Sequence, residues 1–474
     1  MDQNSLKLNL KQLFAMIKSK KINRRSFVNS SLAIGAYSFF NNNTIGQNLK
    51  SFSKNTNIYK EPAKELKVYG RFDVIVVGGG PAGFAAALSS KRNGTNTIII
   101  ERFPFFGGTA TASLMTNING YRNQVKPDGL QTSKGISEEV ILRLKEINGL
   151  GRSSYLQENY PTEKGKLSYS YAIDSEKTKY LLTKMMYDEG VSILFHTVFV
   201  DVIMEGNNLT GIIIENNSGR QALFGKVIID ASGDADVAYK AGVPYWQADI
   251  EKDKHLPNCL MYRVGGFDPL DIDKISGPKT KYSALFWGPG SNRDVTDADN
   301  LTRSEIETRL AVFEHFKKEQ EKISPVLDNA SIIETAPLLG IRQTRFINGL
   351  YKTNADDAIE GRKFDDSISM SACPIISYYG YRRYLEHEGY EIPYRCLLPQ
   401  KVEGLLTAGR CISSDQQSYE SWRAMAPTMC LGEAAGTAAA ISVKSQKSPK
   451  EIDVGMLRDQ LIKQGAEIGQ NKKP

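Results

Sequence analysis

The chain has 474 residues, 41% of them hydrophobic and 24% charged, which is the composition of an ordinary globular protein with room for two to three domain-sized units. Its net charge of +7 comes from scattered lysines and arginines rather than the basic and aromatic clusters of nucleic-acid modules, so no nucleic-acid partner is expected. The five cysteines form no C-x-x-C pair and the four histidines are dispersed, so we expect no metal site.

The first 45 residues resemble an export signal. Arg24 and Arg25 are followed by Phe27 and a modestly apolar run to Phe40, the pattern of a twin-arginine signal. The alternative is an amphipathic helix that merely contains the arginine pair. An asparagine- and serine-rich linker at 46–70 favours export. We expect a periplasmic protein, cleaved or membrane-anchored, or a cytoplasmic one if the pair is incidental.

A dinucleotide-binding βαβ unit follows. Segment 72–93, FDVIVVGGGPAGFAAALSSKRN, reads as strand, glycine turn and helix, and a second strand ends in Glu101. Gly78, Gly80 and Gly83 occupy the positions of G-x-G-x-x-G, which serve the tight turn, the approach to a pyrophosphate and helix–strand packing. Glu101 lies where a ribose hydroxyl needs an acceptor, and its charge disfavours the 2′-phosphate of NADP.

The later elements alternate between helical and strand patterns. A small-residue turn at 107–109 precedes helical patterns at ISEEVILRLKEI and EKTKYLLTKMMYDEG. Alternating strands at 192–230 predict a β-meander that feeds back into a parallel strand, VIIDA. Residues 245–391 are more polar and irregular, which indicates an inserted domain. The strand GLLTA, a turn at Gly409 and the helix LGEAAGTAAAISV then return to the first pattern.

Six segments carry a family resemblance: GGGPAGFAAA, ERFPFFGGTATA, VIIDASGDADVAYKAG, IPYRCLLP, LLTAGRCIS and PTMCLGEAAGTAAA. In this order they resemble FAD-dependent oxidoreductases of the glutathione-reductase-like fold, and more narrowly the bacterial family that includes proteins labelled xanthan-lyase-like. The resemblance implies an α/β fold, with a doubly wound parallel sheet, a β-meander and an inserted substrate or cap domain. It implies an FAD-binding domain at 71–244 and 392–445, the insertion at 245–391 and a helical tail at 446–474. Because flavoproteins acquire FAD in the cytoplasm and the twin-arginine route carries folded proteins, it also favours export.

The resemblance implies FAD as cofactor and a set of residues around it. The expected FAD-binding residues are Gly78, Gly80, Pro81, Ala82, Gly83, Glu101, Arg102, Gly107, Gly108, Thr109, Phe199, Asp234, Gly409, Arg410, Gly432, Ala434, Ala435 and Gly436. Several have a plainer alternative. Asp230 and Asp234 follow a parallel strand and suit either the cofactor crevice or a helix cap. The helix expected to begin near Gly432 aims its positive dipole at the flavin or serves as a packing face.

The expected reaction is oxidation of a small polar organic substrate by hydride transfer to flavin N5. Since no second G-x-G-x-x-G is present, we expect the electrons to pass to a separate acceptor. The resembled family often has a histidine soon after GRCIS, but this chain reads GRCISSDQQSYES, so the resemblance does not supply a histidine base. The expected catalytic and substrate-binding residues are Arg395, Tyr394, Arg342 and Asp415, with Arg345, Tyr419 and Arg423 as further candidates. A flavin-dependent lyase or isomerase, or a non-catalytic flavin protein, remains the alternative.

Overall fold

A computed structural model of the chain describes residues 58–123, 130–151, 169–248, 256–376 and 381–469. The arginine pair Arg24 and Arg25 and the apolar run to Phe40 lie outside these residues. Residues 58–65 contain no helix or strand. Leu66 begins a second unit, in which all elements below lie.

Short strands and mostly short helices alternate along the second unit. The strands are β1 (Lys67–Val77), β2 (Thr97–Ile100), β3 (Asn117–Asn119), β4 (Leu150–Gly151), β5 (Ser170–Ile173), β6 (Ser192–Leu194), β7 (Val198–Glu205), β8 (Asn208–Asn216), β9 (Gly219–Asp230), β10 (Tyr245–Gln247), β11 (Asn258–Gly265), β12 (Ala284–Ser291), β13 (Ser331–Thr335), β14 (Arg345–Ile347), β15 (Ser367–Ser371), β16 (Tyr390–Pro393) and β17 (Leu405–Thr407). The helices are α1 (Pro81–Arg92), α2 (Ile136–Glu146), α3 (Ser175–Asp188), α4 (Asp236–Lys240), α5 (Ala298–Lys322), α6 (Ala355–Glu360), α7 (Gln416–Trp422), α8 (Met425–Ser445) and α9 (Val454–Lys463).

The largest sheet mixes parallel and antiparallel pairing, and the prediction of an α/β fold is confirmed. Its order is β6-β2-β1-β9-β8-β7. Strands β6, β2, β1 and β9 are parallel, whereas β7, β8 and the first half of β9 form an antiparallel meander. Where β8 leaves β9, strand β17 takes its place and pairs in parallel with Ile228–Asp230. A strand from the last quarter of the chain thereby completes the sheet.

Side chains of β1 alternate between two hydrophobic cores, as the two-residue period of a strand requires. Val74 and Val76 pack with α1 and α8 on one face. Ile75 and Val77 pack on the other face with residues of β8, α4 and β17. All four side chains are buried. Because this part of β1 is covered on both faces, its residues are all apolar, which explains the continuous apolar run in the sequence.

Helices α1 and α8 cross at very short distance because of two glycines. A β-carbon at Gly432 would lie 2.0 Å from the carbonyl oxygen of Ala82, and one at Gly436 would lie 2.1 Å from that of Ala86. No side chain fits at either position without separating the helices. This contact presses α8 onto the helix that follows the first glycine turn.

Residues of the predicted insertion form a small layer. Strands β12, β11 and β13 form an antiparallel sheet, against which α5 packs. Leu260, Tyr262 and Phe286 from this sheet share a core with Phe316 of α5 and with Leu114, which follows the second glycine turn. The insertion is therefore joined by apolar packing to the chain segment beside the predicted cofactor site.

Across the described residues, no helix combines the length and apolar character needed to cross a membrane.

Candidate cofactor and substrate site

A cavity of about 350 Å³ runs from the first glycine turn to the insertion. We call one part the glycine end, lined by Gly78, Gly80, Glu101, Ser232 and Asp234. We call the other part the inner chamber, lined by Met261, Trp287, Leu339, Arg342, Arg423 and Met425. The glycine end lies at the carboxyl ends of parallel strands β1, β2 and β9, where open α/β sheets bind their ligands.

The three motif glycines differ in what requires them. Gly78 has a positive φ of 96°, and a β-carbon there would lie 2.6 Å from the carbonyl oxygen of Ala231. A β-carbon on Gly83 would lie 1.8 Å from the carbonyl oxygen of Gly78. Gly80 has an ordinary φ of −66°, and a β-carbon there would meet nothing within 4 Å. The fold therefore requires Gly78 and Gly83, but Gly80 leaves space open in the cavity.

The N-terminus of α1 presents its amide groups at this open space. Gly80 is the N-cap residue and no side chain caps the helix. Pro81 and Ala82, the first two helical residues, line the cavity. Uncapped amides, a favourable helix dipole and a missing β-carbon are what a pyrophosphate needs, so these residues fit a dinucleotide.

A second glycine turn lies directly against the first. The backbone N–H of Gly107 donates to the carbonyl oxygen of Gly79 over 2.9 Å. Gly108 has a φ of 47°, and a β-carbon there would lie 2.8 Å from the α-carbon of Gly80. Gly108 and Thr109 line the cavity, whereas Gly107 supports the turn from outside the lining. The two turns together form a wall of the cavity that consists of backbone atoms.

Glu101 holds the first turn while facing the cavity. One carboxylate oxygen accepts from the backbone N–H of Gly79 over 2.5 Å, and the other accepts from Phe103 N–H over 2.9 Å. Burial raises the pKa of Glu101, partly offset by these two hydrogen bonds. Arg102 and Phe199 line the cavity as well. Glu101 therefore lies at the end of β2, within reach of a ligand at the turn.

The two aspartates after β9 have separate roles. Asp230 is fully buried and accepts from Ser232 Oγ over 2.6 Å and from Ala238 N–H over 2.9 Å, so it braces the loop into α4. Burial raises its pKa. Asp234 instead lines the cavity and accepts from Thr344 Oγ1 over 2.9 Å. The structural interpretation holds for Asp230, and Asp234 is in position for a ligand.

Arg410 connects the glycine end to the inner chamber. Its Nε donates to the carbonyl oxygen of Gly233 over 2.9 Å, and its other nitrogens contact Asp234 and the carbonyl oxygen of Ile341. Gly409, with a φ of 83°, places this side chain along the cavity wall. The guanidinium thus ties the β9 loop to the insertion residues that border the inner chamber.

Helix α8 corrects one prediction. It begins at Met425 rather than near Gly432, and Ala424, Met425 and Thr428 line the cavity without a side-chain cap on the helix. The four predicted cofactor residues further along do not line it, because they are buried within the helix: Gly432, Ala434, Ala435 and Gly436. Gly83 is also outside the lining. The packing interpretation therefore holds for these glycines and alanines, and the helix N-terminus that faces the cavity lies earlier in the chain.

The sequence-predicted substrate residues divide into two groups. Arg342, Tyr419 and Arg423 line the cavity, and Tyr419 donates its hydroxyl hydrogen to the backbone carbonyl oxygen of Arg342. Tyr419 is fully buried, and the guanidinium carbon of Arg423 lies 5.9 Å from the centroid of its ring. These three residues form a connected cluster at the inner chamber.

The remaining predicted residues are engaged elsewhere, which corrects the preference for Arg395. Arg395 binds Asp366 over 2.8 Å and 3.0 Å with its side chain 47% exposed. Tyr394 is buried and donates to the carbonyl oxygen of Pro449 over 2.8 Å. Neither residue lines the cavity. No residue of IPYRCLLP lines the cavity.

Asp415 and Arg345 also lie outside the lining. Asp415 caps α7 by accepting from Ser418 N–H over 2.8 Å. Arg345 binds Asp236 over 3.2 Å. Both residues therefore have structural partners that account for their charges.

The inner chamber also contains residues that no sequence motif marked. Met261, Trp287 and Leu339 come from the insertion, Asn117 and Asn119 from β3, and Cys373 from the segment after β15. Burial raises the pKa of the Cys373 thiol to about 11, so the thiol is neutral near pH 7. Because these positions are far apart in the chain, only the fold brings them together. Within the described residues, no cluster of three or more histidine, cysteine, aspartate or glutamate side chains is suited to a metal ion.

Comparisons with known proteins found partial similarity to several enzymes. A digeranylgeranylglycerophospholipid reductase of Methanothermobacter thermautotrophicus is 25% identical over 224 residues, 46% of this chain and 53% of that protein. A thiamine thiazole synthase of Methanococcus vannielii is 29% identical over 177 residues, 35% of this chain and 58% of that protein. The chain therefore spans little more than half the length of these curated relatives.

A solved structure and a family model extend the comparison. The structure of a geranylgeranyl bacteriochlorophyll reductase-like protein from Thermoplasma acidophilum has a TM-score of 0.44 and 18% identity, and the match covers 84% of each chain. The family model described as FAD dependent oxidoreductase matches residues 73–286 and 274–461, most of the chain. The chain thus belongs to the FAD-dependent oxidoreductase family, and its cofactor is FAD.

Proposed function

We propose that this enzyme oxidises a small polar organic molecule in the inner chamber and passes the electrons to a separate acceptor. The observation that carries the proposal is the continuity of the cavity, which joins a dinucleotide-binding turn to a chamber with both polar and apolar lining. When bound, FAD supplies the ring that accepts hydride. We also propose that the fold is of the glutathione-reductase-like type, supported by β17 completing the mixed sheet beside β9.

The proposed cofactor contacts follow from the geometry of the cavity. Backbone amides at the start of α1 and around Gly108 would hold the pyrophosphate, and Glu101 would accept from a ribose hydroxyl. The uncapped N-terminus of α8 at Met425 provides a positive dipole within the same cavity. The side chain of Arg410 closes the wall between the two ends.

The chamber places a limit on how a substrate proton is removed. Among its described lining residues there is no histidine, aspartate or glutamate. Burial raises the pKa of Tyr419 and that of Cys373, so both are neutral near pH 7. A neutral amine loses hydride without prior removal of a proton, so amines belong beside hydroxy acids and sugars as test substrates.

An anaerobic substrate panel tests the proposal. Purified FAD-containing protein is mixed with hydroxy acids, polyols, sugars and amines, and the visible absorbance of the flavin is followed. We expect one class to bleach the flavin, and oxygen or an added quinone to restore the absorbance. A flavin that no substrate bleaches, while one compound is converted without net oxidation, would instead favour a lyase or isomerase.

We propose in addition that the protein is exported by the twin-arginine machinery, as the Arg24–Arg25 pair suggests. The test replaces both arginines by lysine and compares fractionated cells. We expect the FAD-loaded variant to accumulate in the cytoplasm. An unchanged distribution would show that the arginine pair does not direct export.

A further inference from the structure

We infer that the inner chamber binds the carboxylate of a substrate with an apolar body, and that Arg423 is the residue that holds the carboxylate. The inference rests on the proposed function, since it names the substrate class of the same chamber. It is supported by the position of Arg423, by the charge balance of the cavity and by the residues that form the remaining walls.

Arg423 is held at a corner between two helices. It is the C-cap residue of α7, and the next residue, Ala424, is the N-cap of α8. Its backbone N–H donates to the carbonyl oxygen of Tyr419 over 3.1 Å. With two helices fixing the backbone and the Tyr419 ring beside the guanidinium, the side chain is positioned in the cavity wall.

The guanidinium of Arg423 has no anionic partner in the structure. Its Nε atom is buried and makes no hydrogen bond. Within the described ranges, no carboxylate forms an ion pair with it, whereas Arg395, Arg410 and Arg345 each have one. A buried guanidinium nitrogen without an acceptor is costly, and an anion supplied by a ligand removes that cost.

The acidic side chains of the cavity are confined to one part of it. Its acidic lining residues are Glu101, Asp234 and Asp236, all in the part that begins at the glycine turn. The inner chamber has Arg342 and Arg423 and the N-terminus of α8, and none of its described lining residues is acidic. The chamber therefore offers positive charge to an anionic group without a neighbouring carboxylate among its described lining residues, whereas at the glycine end Arg102 and Arg410 line the cavity together with the acids.

The other walls of the chamber determine what kind of substrate body can be attached to the carboxylate. Met261, Trp287, Leu339 and Met425 give the chamber an apolar and aromatic surface. An apolar body packs against this surface, while a planar carboxylate pairs with the fork of a guanidinium through two hydrogen bonds. A fully hydrated anion such as inorganic phosphate would leave the apolar walls uncovered.

Spectral titration of FAD-loaded protein tests this assignment without relying on turnover. The probes are benzoate, its neutral analogue benzamide, and inorganic phosphate, each followed through the visible absorbance bands of the bound flavin. We expect benzoate to shift the bands and to bind more tightly than benzamide or phosphate. Arg423→Gln should weaken benzoate binding at least about 30-fold, and Arg423→Lys should weaken it less.

The titration has two controls, a matched charge variant and a measurement of the FAD content. Arg143→Gln also removes one positive charge, but from an ion pair with Glu139 on α2, outside the cavity lining, and should bind benzoate as the wild type does. Equal binding by wild type and Arg423→Gln, or phosphate binding more tightly than benzoate, overturns the inference. A wild type that binds no benzoate also overturns it. A protein that retains no FAD contradicts the proposed function instead.

Discussion

The two ends of the cavity satisfy their charges in different ways. At the glycine end, Glu101 and Asp234 are held by hydrogen bonds from the protein itself, and Arg410 pairs with Asp234. At the inner chamber, Arg423 has a buried nitrogen without a partner. The charged side chains Glu101, Asp234 and Arg410 at the glycine end are therefore satisfied before any ligand binds, while Arg423 is satisfied only by the carboxylate that we propose it binds.

This difference separates residues that serve the fold from residues that serve a ligand. Gly78 and Gly83 are explained by close contacts with the protein's own backbone, whereas no contact within the described residues accounts for the missing β-carbon of Gly80 or for the unpaired Nε of Arg423. The same test applies to both ends: substitution of a fold residue should change stability, and substitution of a ligand residue should change binding at constant stability.

The largest expected effect is that of Gly83→Ala. A methyl group 1.8 Å from the carbonyl oxygen of Gly78 forces α1 away from β1, because backbone atoms on both sides leave no room. We expect a loss of about 3 kcal/mol or more in the free energy of unfolding. Urea denaturation of FAD-free protein measures it, and an unchanged midpoint would contradict the geometry.

Gly80→Val is the matched ligand-side change. Its β-carbon meets nothing within 4 Å and its φ suits any residue, so the unfolding midpoint of FAD-free protein should hardly change. The side chain would fill the pyrophosphate space, and we expect FAD to bind at least about 100-fold more weakly, about 2.7 kcal/mol. Loss of stability instead would place Gly80 with the fold glycines.

Arg410→Leu tests the link between the two ends. Removing the guanidinium leaves the carboxylate of Asp234 without its cation and two carbonyl oxygens, of Gly233 and Ile341, without their donor. We expect a loss of about 2–4 kcal/mol in stability, with weaker binding at both ends of the cavity. Adding Asp234→Asn should restore part of the stability. If it restores none, the ion pair is not the source of the loss.

Glu433 differs from Arg423 in that its buried carboxyl group can become neutral by keeping a proton. It accepts from Ile136 N–H over 2.8 Å, and no cation in the described residues forms an ion pair with it. Burial raises its pKa from 4.5 to about 7. Between these pH values the folded protein keeps a proton that the unfolded chain has lost, so stability falls as the pH rises.

The expected decrease between pH 4.5 and pH 7 is about 2–3 kcal/mol relative to Glu433→Gln, which cannot titrate. Urea denaturation of both proteins across this range measures the difference, and other titrating groups cancel in the comparison. Parallel pH profiles for the two proteins would show that Glu433 is ionised in the folded state throughout.

Gly432→Ala separates the packing role of α8 from a cofactor role. A methyl group 2.0 Å from the carbonyl oxygen of Ala82 strains the crossing of α1 and α8, so FAD-free protein should lose about 1–3 kcal/mol. Gly455→Ala at the exposed start of α9 is the control: its β-carbon would meet only the side chain of the N-cap residue Asp453, at 3.0 Å, and we expect stability to change by no more than about 1 kcal/mol. Weaker FAD binding at full stability would return Gly432 to the cofactor site.

The glycine end could be predicted from the sequence, whereas the inner chamber could not, because the two are assembled differently. The glycine turn, Glu101 and their strands lie within about thirty residues of one another, so the motif spacing defines the geometry locally. The chamber combines β3, the insertion and the α7–α8 corner, which only the fold brings together. Helix α8 begins at Met425 rather than near Gly432, and close packing against α1 explains the glycines from which a helix start and a cofactor role were predicted.

Arg395→Gln has the smallest expected effect and is the most direct test of the correction made by the structure. The position of Arg395 between the predicted insertion and the FAD-binding domain suggested a substrate role. Its side chain, however, is 47% exposed and paired with Asp366. A half-exposed ion pair contributes at most about 1 kcal/mol to stability, since water and salt screen it. FAD binding, benzoate binding and anaerobic flavin reduction should all match the wild type. If reduction slows in Arg395→Gln but not in Arg423→Gln, the substrate lies at the joint and the inner chamber is not the active site.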